Sequence, residues 1–511
     1  MKKKIFFIMA VTVMSFSNAQ NISDGLRYSL DDSYGSARYN ALSGAFGSLG
    51  GDLSAMSINP AGSAIFLNTS ASISVSANDF ENSTSYFNTN TKGIITDVNL
   101  NQAGAVFVFN NPSETSKLKK FSLGINYQSS RNYDDELYIF GDSNASVDQF
   151  FLAQAQGIPL DLLQLQSGES VSDLYAFLGE NEGVFAQNAF LGYQGFIIDP
   201  LDPNDPSNTD YVSTIAPGTF HQEYAYITEG ANNKFTINFA TQLSSNFFLG
   251  INLNSHSIDY RQSSFLFEAN NNIGSSVDQI GFENNLTVDG VGFSAQIGAI
   301  AKLTENFRLG LSLDTPTWYE ISEETSQRLE TRVIDDGNSS FVDVDPRVIN
   351  IYENYQITTP GKVTASASYI FGTQGLISFD YSYKDYSAIN FETGYNSFTD
   401  SSYFNDLNDA IENSLNGVST FRLGGEYRIN NLSLRGGLRY EESPYQNEIT
   451  VGDLSGFSLG MGYNFGNYNF DISYARAEQD RKQRLYDIGL TNEASINTIT
   501  TNIALSVGFK F

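Results

Sequence analysis

Cysteine is absent from this chain of 511 residues, histidine occurs twice, tryptophan once, and Lys plus Arg number 28 against 57 Asp plus Glu. Without cysteine there is no disulfide scaffold, no thiolate metal site and no catalytic thiol. The shortage of basic residues, with a formal charge of -29, argues against nucleic acid as a partner, because gripping a phosphate backbone relies on Lys and Arg to release counterions. Past the first residues there is also no apolar run long enough for a membrane helix. The chain is therefore either soluble or a transmembrane barrel, whose strands are apolar only at alternate positions.

What is present begins with an address. Lys2, Lys3 and Lys4 precede the apolar stretch Ile5 to Met14, and Ser17, Asn18 and Ala19 form a small-residue cleavage site, the pattern of a secretory signal peptide spanning residues 1–19. Cleavage after Ala19 removes three lysines and takes the charge from -29 to -32.

A period of two then runs through the sequence. Phe121, Leu123, Ile125 and Tyr127 alternate with Ser122, Gly124 and Asn126. The pattern returns at Phe307, Leu309, Leu311 and Leu313, at Ile377, Phe379, Tyr381 and Tyr383, and finally at Ile503, Leu505, Val507, Phe509 and Phe511. The intervening residues are small or polar, as in Arg422, Gly424, Glu426 and Arg428 or Arg435, Gly437 and Arg439. A soluble sandwich also alternates, so connection lengths decide.

Strands are expected near 67–78, 99–110, 119–131, 232–243, 247–260, 288–303, 306–320, 361–372, 376–390, 418–429, 432–444, 455–466, 468–480 and 498–511. Tight turns such as Ser244 to Asn246, Thr304 to Asn306 and Asn430 to Asn431 alternate with long connections, the arrangement of periplasmic turns and extracellular loops. The reading is all-β: a transmembrane antiparallel β-barrel of about fourteen strands over 63–511, in the Gram-negative outer membrane, with both termini periplasmic. A C-terminal Phe511 resembles the signal read by the outer-membrane assembly machinery.

Two stretches depart from the strand pattern. An insertion at about 132–231 carries a capping-box spacing, Ser146 with Gln149, and apolar clusters Phe150, Phe151 and Leu174, Phe177, Leu178, which read as short helices. Exposed, they would form a capture surface for something greasy; packed together, they would cap the barrel mouth. A third helix is expected at Leu407 to Leu415. The other exception, residues 20–62, is rich in Gly, Ser and Ala and ends in Asn59, Pro60, Ala61 and Gly62. A barrel this wide is not filled by its own side chains, so this segment is the expected plug.

Residues Ser36 to Gly62, SARYNALSGAFGSLGGDLSAMSINPAG, resemble the N-terminal hatch of the FadL/OmpP1/TodX family of outer-membrane hydrophobic-compound transporters. Leu434 to Pro444, LRGGLRYEESP, is similar to a late strand of that family, and Thr359 to Tyr369 to its strand led by Thr-Pro-Gly. The resemblance implies a monomeric fourteen-stranded barrel that passes long-chain fatty acids or aromatic hydrocarbons inward down their gradient. It implies a gate at Asn59, Pro60, Ala61 and Gly62, and a lateral exit beside a kinked early strand, for which Ser129 to Arg131 is the candidate. The type IX secretion shuttle resembles the same family and binds secreted partners instead, which leaves an interaction protein as the alternative.

Little other chemistry is available. His221 and His256 lie in different segments, so no metal or cofactor is assigned, and a haem ligand would have to be one of them or a Tyr. A Ser-His-Asn esterase would need His256 with Asn254 and Ser257, residue types common on any polar lumen face; no catalytic residue is assigned and no enzyme is expected. Asp199, Asp202, Asp205 and Asp210 are interrupted by prolines and lack a calcium-loop spacing. Arg422, Arg428, Arg435 and Arg439 are expected to face the lumen and pair with carboxylates, one being free to hold a fatty-acid carboxylate. The expected partners are small hydrophobic ligands, outer-membrane lipid and lipopolysaccharide.

Overall fold

The computed structural model describes residues 20–32, 34–113, 116–394 and 402–511; the expected signal peptide lies outside them. Fourteen strands build the barrel. They are β1 (Ser70–Tyr86), β2 (Thr89–Asn110), β3 (Lys120–Asn132), β4 (Phe220–Gln242), β5 (Phe247–Asn270), β6 (Val277–Lys302) and β7 (Phe307–Asp314 continued by Thr317–Asp335). Then come β8 (Tyr355–Thr359 continued by Lys362–Ile370), β9 (Gly375–Asp385), β10 (Gly417–Ile429), β11 (Leu432–Glu441), β12 (Val451–Asn464), β13 (Tyr468–Arg484) and β14 (Glu493–Lys510). Each pairs antiparallel with the next. β14 returns to β1 from Ser70↔Lys510 to Ser85↔Ser495, so the sheet closes into a barrel without a free edge. The interruptions in β7 and β8 fall at Pro316 and Pro360, which cannot donate to the ladder, and they lie side by side.

Alternation sorts the wall into two faces. Along β5, Gly250, Asn252, Asn254, His256, Ile258 and Tyr260 point inward and are buried, while Phe247, Ile251 and Leu253 are exposed on the outside. Further along, the outward positions become Ser255, Ser257, Asp259 and Arg261. A bilayer needs about ten residues of a tilted strand, so the apolar belt ends there and the rest of β5 projects beyond it. The projecting parts are what sequence periodicity underestimates: β4, β5 and β6 are longer than expected, and β1 and β2 run on to a two-residue turn at Phe87 and Asn88. Both turn residues have positive φ (43° and 65°), as a primed hairpin turn requires.

Inside the barrel lies the N-terminal segment, with helices α1 (Ile22–Ser29) and α2 (Ala37–Ala41) followed by 3₁₀ turns at Ser54–Ser57 and Pro60–Ile65. Phe511 and Gln20, the first described residue, sit at different levels. Phe511 lies at the end of the barrel that carries the tight turns, its N–H donating to the carbonyl of Thr69 at 2.9 Å. Gln20 is buried at the opposite level, donating through Nε2 to Glu323 of β7 at 2.6 Å.

The insertion forms a cap over the loop end. Its strand Asp135–Ser143 pairs with the upper half of β4, and helices α3 (Asp148–Ala155), α4 (Val171–Asn181) and α5 (Val184–Gln194) follow. Ser146 Oγ accepts from the N–H of Asp148 at 3.1 Å, but the N-cap position of α3 is Val147, one residue later, whose side chain has no polar atom to cap with, so the expected capping box between Ser146 and Gln149 is not formed. The reciprocal box is one helix later, between Ser170 and Asp173 on α4, where both members are near enough to complete it. The last helix, α6 (Ser402–Ser414), covers the expected position at 407–415 and packs into the upper lumen beside α1.

Candidate functional site

Asn59 is the clasp of the plug. Its Oδ1 accepts from the N–H of Ala61 at 3.1 Å, capping the turn that Pro60 opens, since Pro has no N–H to satisfy at that position. Its Nδ2 donates to the carbonyl of Gly47 at 2.7 Å and to that of Ala299 in β6 at 3.0 Å. Asn59, Pro60, Ala61 and Gly62 are all buried. The wall makes room by glycine: a Cβ on Gly298 would stand 2.1 Å from Asn59 Oδ1, and one on Gly250 2.4 Å from the Pro60 carbonyl carbon.

Polar side chains of the inner wall then reach the backbone of the plug. Asn238 donates to the Pro60 carbonyl (2.9 Å), Asn252 to that of Met56 (2.7 Å), Ser312 and Gln296 to that of Ile58 (2.7 and 3.1 Å). Asp380 accepts the N–H groups of Phe46 and Gly47 at 2.9 and 2.8 Å. Segment 36–65 is thus suspended across the bore by directional bonds from many strands. Apolar packing adds to them, with Leu42 and Phe46 near Leu376, Ala61 and Ala64 near Phe248 and Ile300, and Met56 near Val106, while bonds of this kind are exchanged for water at modest net cost.

Three of the four lumen arginines are paired. Glu426 binds Arg428 at 2.5 Å, Arg435 at 2.7 Å and Arg38 of the plug at 3.1 Å, and Arg435 also reaches Asp471 at 2.6 Å. Arg439 pairs with Glu441 at 2.8 Å. Arg422 is buried and has no hydrogen-bond or ion-pair partner among the described residues. A second cationic group was not visible in the sequence. Lys362 of β8 and Lys384 of β9 converge on Asp31, at 3.3 and 3.6 Å, and Lys234 of β4 faces the same group. These residues lie on three strands and a plug segment some 350 positions apart, so no spacing rule could have assembled them.

The wall is incomplete at one place. β2 and β3 pair from Asn110↔Lys120 to Gln102↔Gln128 and stop. Immediately beyond, β3 bulges against β4 between Ser129 and Arg131, at the position expected for the kink. The unpaired stretch is bounded above, where Asn82 of β1 donates to the carbonyl of Glu136 at 2.9 Å and Thr91 of β2 to that of Tyr138. The N-terminal segment is seated against it: the N–H of Asp32 donates to the Ser130 carbonyl (2.8 Å), Gln128 to the Tyr34 carbonyl (2.6 Å), and Arg131 binds Asp32 at 2.8 Å.

The profile of the outer membrane protein transport proteins (OMPP1/FadL/TodX) matches residues 214–508. The chain belongs to that family. Two solved structures share its fold: a Pseudomonas aeruginosa FadL homologue (TM-score 0.54, 13% identity, covering 94% of this chain and 100% of that one) and the Pseudomonas putida toluene transporter TodX (TM-score 0.51, 12% identity, 94% and 99%). No curated protein matches at the sequence level.

In this OMPP1/FadL/TodX member the residues read as an apolar capture surface are placed otherwise. Phe150, Phe151, Leu174 and Leu178 are buried in the cap with Leu266, Phe282 and Leu329 of the barrel rim. Only Phe177 is half exposed, at 46%. Apolar helix faces were correctly seen, but their partners, the inner faces of the projecting strands, were counted as loop. The histidines are also separate. Ser257 faces outward, and the serine that His256 meets is Ser294, at 2.9 Å from Nε2. Its Nδ1 has no hydrogen-bond partner among the described residues, where a catalytic triad places its orienting carboxylate or amide. His221 lies beyond the belt between Asp142 and Glu223.

Proposed function

We propose that this protein lets small hydrophobic molecules, long-chain fatty acids or aromatic hydrocarbons, cross the outer membrane passively, past a movable plug and out sideways between β2 and β3. The observation that carries the reading is the pairing of a bore closed by hydrogen bonds with a wall left open beside the bulge at Ser129 to Arg131. A solute that reaches the lumen has a polar plug below it and an unzipped seam at its side. Leaving through that seam delivers it into the apolar belt, where each buried CH₂ gains about 0.8 kcal/mol, so no energy source is required. On this reading the tight turns and Phe511 are periplasmic, the cap is extracellular among lipopolysaccharide, and a monomer suffices. The Pseudomonas putida protein TodX, which shares the fold, is described as a toluene transporter, and a small hydrophobic solute is what this reading assigns to the present chain.

The buried cap residues favour a second reading, in which the cap binds a protein partner as the type IX shuttle does and the lumen passes nothing. Uptake separates the two. Radiolabelled oleate and toluene are offered to a deletion strain carrying wild-type protein, Asn59→Ala with Pro60→Ala, or a Ser130 deletion that restores the register of β3. Transport predicts uptake by wild type and its loss in the Ser130 deletion at equal surface abundance. Equal uptake of both solutes with and without the gene would leave the partner-binding reading in its place.

A further inference from the structure

The end of the barrel that carries the tight turns has a charge unlike that of the whole chain. Acidic residues outnumber basic ones by 57 to 28, yet three cations stand together there on the inner wall, beneath the plug. Lys302 of β6 and Arg308 of β7 are direct cross-strand partners, and both are half-buried. Lys120 of β3 is 5% exposed and lies within electrostatic reach of Lys302. None of the three forms a salt bridge among the described residues. Glu305, in the turn between β6 and β7, is the carboxylate that faces Lys302, and it is exposed.

The partners these side chains do have are neutral. Lys120 donates to the carbonyl of Phe66 at 2.6 Å and Arg308 through Nη1 to that of Leu49 at 3.0 Å, and the Lys302 ammonium lies 5.0 Å from the centre of the Phe248 ring. Arg308 Nε is buried and has no hydrogen-bond partner among the described residues. Like charges directly opposite each other in a ladder destabilise it, and a buried donor without a partner bears its desolvation penalty in full. One anion between Lys302 and Arg308 removes both costs, whereas a neutral acceptor would leave the repulsion in place.

We propose that Lys120, Lys302 and Arg308 form a binding site for a phosphate group at this mouth, either the free ion or the end group of a phosphorylated solute. A phosphate group carries close to two negative charges near neutral pH and presents three acceptor oxygens, one for each cation, and hydrogen bonds between charged partners are the strong ones. The cations have donors to spare with the plug in place: an ammonium has three and a guanidinium five, and Lys120 and Arg308 each use one on the N-terminal segment. Membrane phospholipid is not the source. The three side chains face the bore, while their neighbours Phe121 and Leu309 are exposed on the lipid side, so the ligand arrives from water. On the transport reading that water is periplasmic, but the site does not depend on what the bore carries.

Purified full-length protein in maltoside micelles, which contain no phosphorus, is titrated with inorganic phosphate and with glycerol 3-phosphate against sodium chloride at matched ionic strength. Binding is read from the phosphorus NMR signal of the ligand and from the thermal unfolding midpoint of the barrel. Phosphate should bind at one saturable site and raise the midpoint, because a ligand of the folded state stabilises it. Lys302→Gln should weaken binding by about tenfold, the loss of one charge-assisted bond, and Lys302→Arg should restore it. In chloride alone Lys302→Gln should unfold no earlier than wild type, since it relieves the repulsion with Arg308. Glycerol 3-phosphate binding as tightly as phosphate assigns the site to a phosphorylated solute, and binding of phosphate alone assigns it to the free ion. A midpoint shift that chloride reproduces, or binding unchanged in Lys302→Gln, overturns the site. So does a Lys302→Gln protein that unfolds early in both salts, because the cation would then be structural. Toluene uptake is measured separately, and none of these outcomes decides it.

Discussion

Glu268 shows how a single side chain can tie the cap to the barrel. It sits near the end of β5, beyond the belt, and accepts from Ser146 Oγ, the N–H of Val147 (2.9 Å) and Gln222 Nε2 (2.7 Å). Burial pushes its pKa from 4.5 up to about 7, against the pull of the three donors. An acid whose folded pKa is raised binds its proton better in the folded state, so its stabilising contribution is full below 4.5 and is lost as pH climbs towards 7. At about 1.4 kcal/mol per unit, the shift corresponds to roughly 3 kcal/mol. Hydrogen-exchange protection of α3, corrected for intrinsic rates, should therefore fall between pH 5 and pH 8, and Glu268→Gln should flatten that dependence. A pH-independent wild type would mean that the three donors, not burial, set the protonation of this carboxyl.

At the scale of the strand, the belt defines where substitution is expensive. Ile251 is exposed to lipid within the apolar part of β5, and Ser257 is exposed beyond it. A cation at mid-membrane on the lipid face of a barrel costs about 2–4 kcal/mol and close to nothing past the interface. Ile251→Arg should lower barrel stability in a folding titration by that amount, and Ser257→Arg should leave it unchanged; equal losses would place the belt higher on the strand. The same change of chemistry explains what could be read in advance. Within the belt the contrast between lipid and lumen faces is strong, and the strands, their number and their tight turns were legible. Past Leu253 the outward residues turn polar and the contrast fades, so β5 was followed only to 260 and the projecting parts of β4 and β6 were indistinguishable from loop. The bulge at Ser129 to Arg131 lay where expected, and the clasp at Asn59 was found through a motif rather than through periodicity. The floor of Lys234, Lys362 and Lys384 was not found, because it exists only once three strands and Asp31 are brought together.

The molecule as a whole has two supports of different kind. The barrel is closed by a ring of antiparallel ladders, shortened only between β2 and β3, whereas the cap is a small domain whose core is completed by the projecting strands. Phe151 joins the two, fully buried with its ring 5.0 Å from that of Phe282 on β6, and a Cβ on Gly192 of α5 would lie 2.8 Å from its own. Truncating such a residue costs about 3–5 kcal/mol, the cavity included. The loss falls on the cap, because no ladder bond of the barrel depends on it, and regions of one protein can open separately when few cooperative contacts join them. Phe151→Ala should render residues 144–219 sensitive to added protease on intact cells while the barrel keeps its heat-modifiable migration on gels. If barrel and cap were lost together, the projecting strands would have to be read as part of one cooperative unit, and the cap could then transmit an event at its surface to the chamber beneath.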